Sequence, residues 1–109
     1  MTTETPVAVG PDLDALVAER VMGWREVWIE PRSGRARGHA ASNRIFDVPP
    51  HSTDIAAAWM VVGKLADLTL WEGGGHWNAR FGIDSWDDTM SGDTVPEAIC
   101  RAALKAVAG

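Results

Sequence analysis

The residues best suited to bind a charged ligand lie in an arginine-rich segment at positions 32–44. Four side chains there could clamp a phosphate group, because guanidinium groups form paired hydrogen bonds with phosphate oxygens. These are Arg32, Arg35, Arg37 and Arg44. Gly34 and Gly38 would let the backbone approach such a ligand. The glycine spacing matches no phosphate-loop fingerprint, so a solvated, mobile loop is the competing interpretation.

A second polar cluster follows the double proline at positions 49–50 and precedes a predicted helix. It consists of His51, Ser52, Thr53 and Asp54. The free N–H groups at a helix start attract anions, so this turn could form an anion pocket. Asp54 already places a negative charge in that field, which favours helix capping instead.

The third candidate is the polar face of a predicted strand at 76–83. His76, Asn78 and Arg80 alternate there with apolar residues, and with Trp24 or Trp71 they could form a platform for base stacking. An exposed sheet face is the competing interpretation. Taken together, the candidate ligand-binding residues are Arg32, Arg35, Arg37, Arg44, His51, Trp77 and Arg80.

No catalytic residue, metal site or cofactor is predicted. Ser52, His76 and Asp54 can be combined on paper into a nucleophilic triad, but Ser52 stands in no nucleophile-elbow motif. The three histidines lack metal-ligand spacing, and one cysteine, Cys100, gives no thiolate cluster. Cys100 lies among apolar residues and is predicted to be a small core residue rather than a nucleophile. We therefore expect a protein that is not an enzyme.

Composition narrows the class of protein further. The chain has 109 residues, enough for one domain at 11–109 preceded by a flexible tail at 1–10. Its net charge of −5 argues against a dedicated nucleic-acid binder, although residues 25–44 hold five arginines against two glutamates. It contains six tryptophans, two phenylalanines and no tyrosine. No apolar run is long enough to span a membrane and no signal peptide is evident, which favours the cytoplasm.

Hydrophobic periodicity predicts helices that alternate with short strands. The predicted helices are 11–22, 52–66 and 95–107, and the predicted strands are 25–30, 44–48, 68–71 and 76–83. The helix at 52–66 is predicted to be the central one, with Trp59 on its buried face and close packing at Gly63. Thr94 and Glu97 form a capping-box pattern before the last helix. This order favours an α+β fold with about three helices and a small, mostly antiparallel sheet.

Three stretches together resemble the phage ABA sandwich domain family, a group of small bacteriophage and prophage proteins. They are LDALVAERVMGW at 13–24, PPHSTDIAAAWMVVGKL at 49–65, and WNARFG with DTVPEAICRAALKAV within 77–107. The pattern PP-x-STDIAAAW is more specific than a generic helix start. Family members more often have Tyr where this chain has His51. The resemblance implies a three-layer α/β/α sandwich and brings no catalytic residues.

The resemblance implies a phage accessory protein that acts in the host cytoplasm. The first hypothesis is non-catalytic binding of a host protein, with Trp and Arg side chains as interface anchors. The alternative is sequestration of a small nucleotide signal by an Arg–Trp pocket. Nucleic-acid binding through the 32–44 segment ranks third because of the net charge. The apolar last helix could also pack against a second copy, so the oligomeric state stays open.

Overall fold

The computed structural model describes residues 7–40, 43–65, 67–82 and 89–108. Within these residues it contains three helices and six short strands. The elements are α1 (Pro11–Arg20), β1 (Arg25–Ile29), β2 (Ala36–His39), β3 (Ile45–Asp47), α2 (Ile55–Lys64), β4 (Leu68–Gly73), β5 (His76–Phe81), β6 (Met90–Gly92) and α3 (Val95–Ala108). None of these helices is long and apolar enough to cross a membrane.

The strands form two antiparallel sheets of three strands each. Sheet A has the order β1-β2-β3, and sheet B has the order β4-β5-β6. The α+β class, the antiparallel pairing and the three helices are confirmed, but the strands divide between two sheets instead of forming one. The double proline at 49–50 follows β3 and removes two N–H donors, so the chain leaves sheet A there and enters α2.

The arginine-rich segment 32–44 is a hairpin rather than a mobile loop over its described part. Strand β2 lies inside it and pairs with both β1 and β3. The turn that joins β1 to β2 includes Gly34, whose φ of 70° lies in the left-handed region. The N–H of Gly34 donates to the carbonyl of Glu30 at 2.8 Å. The competing interpretation of this segment as a mobile loop is therefore wrong for its described part.

Two faces of helix α1 are buried, and each packs in a different apolar cluster. Leu13 and Val17 belong to the main core, which also contains α3 and the inner face of sheet B. Ala18 belongs to a smaller cluster with Ala36 of β2 and Val48, which follows β3. One helix is therefore shared by both clusters and holds sheet A against the rest of the domain.

Helix α3, and not α2, is the central helix. Residues 96–100, Ala102 and Ala103 are buried, and the helix packs on β5 and β6 while also contacting α1 and α2. The Thr94 cap is confirmed, because Thr94 Oγ1 accepts the N–H of Glu97 at 3.3 Å. Glu97 reaches back as expected, but its Oε1 accepts the N–H of Asp93, at 2.9 Å, instead of that of Thr94. The chain's own elements therefore cover the face of α3 that carries Ile99, Ala102 and Ala103.

Helix α2 buries a different face from the predicted one. Trp59, expected in the core, is 56% exposed, and Ile55 and Met60 are each 50% exposed. The buried residues are Ala57, Ala58 and Val61, which lie roughly a quarter turn around the helix from the predicted stripe.

The cause of this error is the composition of α2. Lys64 is the single charged residue among its ten, so apolar residues surround the helix and their periodicity cannot select a buried face. Close packing at Gly63 was also a wrong prediction. A Cβ built on Gly63 meets no atom within 4 Å.

The hairpin of β4 and β5 matches its prediction closely. Gly74 and Gly75 have φ values of 67° and 82°, which suit a two-residue turn with left-handed backbone. Ala79 and Phe81 are buried on the inner face, and Trp77 packs against the same core. Ile83, predicted to continue this face, lies outside the described residues.

Gly92 of β6 provides a test of the packing between sheet B and α3. A Cβ at this position would lie 2.7 Å from the backbone nitrogen of Ala98 and 2.9 Å from Glu97 Cγ. We expect Gly92→Ala to lower the free energy of unfolding by about 1–3 kcal/mol, because the backbone of α3 has to move. Chemical denaturation measures the change.

The matched control is Gly73→Ala in the same sheet. A Cβ on Gly73 would come no closer than 3.6 Å to another atom, so this variant should unfold close to the wild type. An equal loss of stability in the two variants would contradict the tight approach of α3 to Gly92.

Candidate functional site

The turn before α2, at residues 51–54, connects α2 to α1 and does not form an open anion pocket. We call this connection the joint. Asp54 is the N-cap of α2, and its Oδ2 accepts the N–H of Ala57 at 3.1 Å. The capping interpretation is thereby confirmed for Asp54. The carboxylate occupies the positive end of the helix, where an anion would otherwise bind.

Ser52 joins this turn to helix α1 instead of capping α2. Its backbone N–H and its hydroxyl both donate to Asp14 Oδ1, each at 2.7 Å. The N–H of Gly10 in turn donates to Ser52 Oγ at 3.0 Å. Asp14 and Ser52 are both buried, so the carboxylate exchanges water for two short, charge-assisted hydrogen bonds.

His51 is fully buried beside this joint. Its Nδ1 lies 2.8 Å from the carbonyl oxygen of Ala57, and because a carbonyl only accepts, Nδ1 carries the proton. Nε2 is buried and has no hydrogen-bond partner among the described residues. The imidazole therefore fixes the first turn of α2, and a ligand could reach it only if the turn opened.

The arginines of sheet A face carboxylates that the sequence does not place near them. Arg37 lies between two acids, with Nη1 3.1 Å from Glu30 Oε2 and Nε 3.0 Å from Asp47 Oδ1. Arg35 Nη1 lies 3.5 Å from Asp47 Oδ2. Two positive and two negative charges thus meet on this surface, and a phosphate would compete with the acids for the guanidinium groups.

The other predicted site residues do not form one pocket with this pair. Arg32 and Arg44 are exposed at the two ends of the segment. Trp77 and Arg80 alternate to opposite faces of β5 in sheet B. Binding of a nucleotide or a nucleic acid through this set stays a prediction.

His76 and Asn78 of β5 face residues of β6 and of the turn that follows it. Asn78 Oδ1 accepts the hydroxyl of Ser91 at 2.7 Å, and His76 Nδ1 lies 3.6 Å from Asp93 Oδ1. Ser52, His76 and Asp54 therefore do not form a nucleophilic triad, because each of the three side chains contacts a different residue. Within the described residues, no three His, Cys, Asp or Glu side chains converge as metal ligands would.

An apolar groove that the sequence reasoning missed lies between α1 and β1. Its volume is about 520 Å³. Trp28 on its wall is 37% exposed, and Asp12 and Glu19 of α1 also line it. The remaining lining residues are Val7, Ala8, Ala15, Leu16, Val27 and Ile29. The alternation of β1 gives no signal for this groove, because residues from both faces of the strand line it; the groove depends on how α1 is placed on β1.

The chain is similar to known phage proteins in sequence and in structure. A family model described as Phage ABA sandwich domain matches residues 15–104. A 2.0 Å crystal structure of a phage protein from Bacillus cereus ATCC 14579 is similar with a TM-score of 0.72 and 21% sequence identity, covering 98% of this chain and 100% of that one. At this identity the likeness concerns the fold alone. No curated protein matches the chain.

The joint between α1 and α2 can be tested with Ser52→Ala. This variant removes one donor from the buried Asp14 carboxylate and the acceptor of the Gly10 N–H, so we expect a loss of about 1–3 kcal/mol in the free energy of unfolding. Ser33→Ala is the control, since Ser33 Oγ accepts the N–H of Arg35 at an exposed site. Equal stabilities of the two variants would argue against the joint.

The burial of Cys100 can be tested by the reactivity of its thiol. Burial, reinforced by the nearby Asp14, raises the pKa of its thiol from the ordinary 9.0 to about 12, against an opposing effect of Arg101. The native thiol should resist alkylation at pH 8 and react only after unfolding. Mass spectrometry measures the modified fraction, and rapid labelling of the native chain would contradict a buried thiol.

The raised pKa of Cys100 also makes the stability of the fold depend on pH. The unfolded chain loses the Cys100 proton near pH 9 and the folded chain only near pH 12. The free energy of unfolding should therefore fall as the pH rises from 9 to 12. Cys100→Ala should reduce this dependence, which denaturation curves across that range measure.

Proposed function

The chain belongs to the phage ABA sandwich domain family, and we propose that it is a phage accessory protein that binds a host protein in the host cytoplasm without catalysing a reaction. The observation that carries this proposal is the apolar groove between α1 and β1. Grooves of this kind bind apolar side chains of a partner, and exposed Trp residues are frequent anchors of protein interfaces.

The backbone beside the groove favours an extended partner segment. β1 is an edge strand of sheet A, and among the described residues no other strand pairs with its outer edge. An extended peptide can add to such an edge through main-chain hydrogen bonds while alternate side chains enter a neighbouring groove. Trp28 would supply the apolar contact and the strand edge would supply the register.

The charges of the groove indicate the composition of that segment. Asp12 and Glu19 are exposed on the α1 wall, and within the described residues neither belongs to an ion pair. The whole chain also carries a net charge of −5. We infer a segment in which apolar residues alternate with lysine or arginine. Its apolar side chains would fit the apolar lining of the groove, and its positive charges would face Asp12 and Glu19.

The alternative function, sequestration of a nucleotide signal, has less support from the geometry. Arg35 and Arg37 already face Glu30 and Asp47, so binding would require those ion pairs to open. A rise in melting temperature with a nucleotide, absent in Arg35→Ala, would favour this alternative over protein binding.

Affinity capture from host lysate tests the proposal when three forms of the chain are compared. Wild type should retain a host protein that Trp28→Glu loses, because the new carboxylate adds to an acidic groove and removes the aromatic anchor. Trp59→Glu is the matched control on the exposed face of α2, and it should retain the partner. Capture that persists in Trp28→Glu would contradict a role for the groove.

Quantitative binding then defines the recognised segment. A synthetic peptide from the captured protein, alternating in apolar and basic residues, should bind wild type, and Trp28→Glu should weaken it about 30-fold or more. Isothermal titration calorimetry measures both affinities. Native mass spectrometry of the chain from infected cells tests the nucleotide alternative. A bound nucleotide without a protein partner would overturn the proposal.

A further inference from the structure

A second cavity lies where the start of α1 meets sheet A and the turn before α2. Its volume is about 500 Å³, which is within the usual range for sites that bind small molecules. Much of its lining is apolar and comes from Pro11, Ala36, Val48 and Pro50. Among the described residues, it shares no lining residue with the groove between α1 and β1, so what binds here is independent of the proposed host partner.

Asp14 presents a carboxylate oxygen to this cavity. The residue is only 6% exposed, and it lines the cavity. Both donations from Ser52 go to Oδ1, and within the described residues Oδ2 has no hydrogen-bond or ion-pair partner. Oδ2 is not enclosed by protein atoms, so its lone pairs open to the cavity. A buried carboxylate with an unused oxygen favours a ligand that brings a positive charge.

The charges around the cavity leave the Asp14 carboxylate without a counter-ion. On the rim, Asp47 Oδ2 lies 3.5 Å from Arg35 Nη1, and Asp47 Oδ1 lies 3.0 Å from Arg37 Nε. Arg37 also pairs with Glu30, so two positive charges balance two negative charges there. Asp14 belongs to no ion pair in the part of the chain that the structure describes. The charge that remains at the cavity is therefore negative, and it lies on the most buried charged residue of the lining.

The helix starts beside the cavity do not reverse this preference. A helix N-terminus attracts anions through its free N–H groups, but Pro11 is the first residue of α1 and has no N–H. The first turn of α1 also holds Asp12 and Asp14, and Asp54 caps α2. Carboxylates thus occupy both positive helix ends, and they would repel an anionic ligand.

From these observations we infer that the cavity binds a primary ammonium group carried on a short alkyl chain. The ammonium would donate to Asp14 Oδ2, while its methylene groups would pack on Pro11, Val48 and Pro50. Thr53 on the wall adds a hydroxyl that can accept a further hydrogen bond. Ammonium is favoured over guanidinium, because a single free carboxylate oxygen cannot accept the paired bonds that a guanidinium group makes. A free alkylamine and a lysine side chain share this chemistry.

Titration of the isotope-labelled chain with butylamine, followed by heteronuclear NMR, tests the inference. Butylamine is protonated at pH 7, and the amide signals of Gly10, Asp14, Ala36 and Thr53 should shift in a saturable manner. Butan-1-ol is the matched neutral probe, and it should bind about 10-fold more weakly or less.

A third probe distinguishes the two sources of the ammonium group. Nα-acetyl-lysine N-methylamide carries the same group on a peptide unit. Tighter binding of this probe than of butylamine would assign the site to a lysine side chain of a protein. Weaker binding would assign it to a free alkylamine.

Substitutions separate the contributions of the two signs of charge. Asp14→Asn keeps an oxygen that accepts from Ser52 and replaces Oδ2 by an amide nitrogen, so butylamine should bind about 10-fold more weakly or less. Arg35→Ala removes an exposed positive charge from the rim, so it should bind butylamine about twofold more tightly. Glu72→Gln, at an exposed position of sheet B, changes the net charge as Asp14→Asn does and should bind like the wild type. Circular dichroism checks that each variant is folded.

Four results would overturn the inference. Butylamine that causes no saturable shift would exclude an amine site, and butan-1-ol that binds as tightly would exclude a role for the charge. A folded Asp14→Asn variant with wild-type affinity would exclude Asp14 as the acceptor. Loss of butylamine binding in Arg35→Ala would also contradict it, and this readout does not depend on the folding of Asp14→Asn.

Discussion

The buried contact between Asp14 and Ser52 is the constraint on which the arrangement of the domain depends. Burial of a carboxylate is costly unless strong hydrogen bonds compensate it, and Asp14 receives two at 2.7 Å from a single residue. The contact joins residues that are 38 positions apart in the chain. It fixes α1 relative to the start of α2, and through α1 it also fixes the position of sheet A.

The orientation of α2 follows from the same joint. The N–H of Ala57 is held by Asp54, and its carbonyl by His51. With both backbone groups of one residue bound, the rotation of the first turn is fixed by polar contacts. Ala57, Ala58 and Val61 then face inward, and Trp59 is turned to the outside. Polar contacts at the helix start, and not hydrophobic periodicity, select the buried face.

The sequence predicted best those features that are encoded locally. The alternation of β5, the glycines at 74–75 and the Thr94–Glu97 cap each involve neighbouring residues, and all are found in the structure. The family, too, was evident from short sequence stretches. The carboxylates facing Arg35 and Arg37 could not be predicted, because Asp47 reaches them only through the pairing of β2 with β3. The groove beside Trp28 required the placement of α1 on β1 for the same reason.

The sharing of α1 between two apolar clusters has a consequence for how the domain folds. Among the described residues, the cluster at sheet A has three buried side chains, and one of them is Ala18 of α1. Opening sheet A would also disturb Leu13 and Val17 in the main core. The shared helix therefore couples sheet A to the main core, because any displacement of α1 disturbs both clusters. Such coupling gives a small domain a single cooperative transition in place of a loosely attached second half.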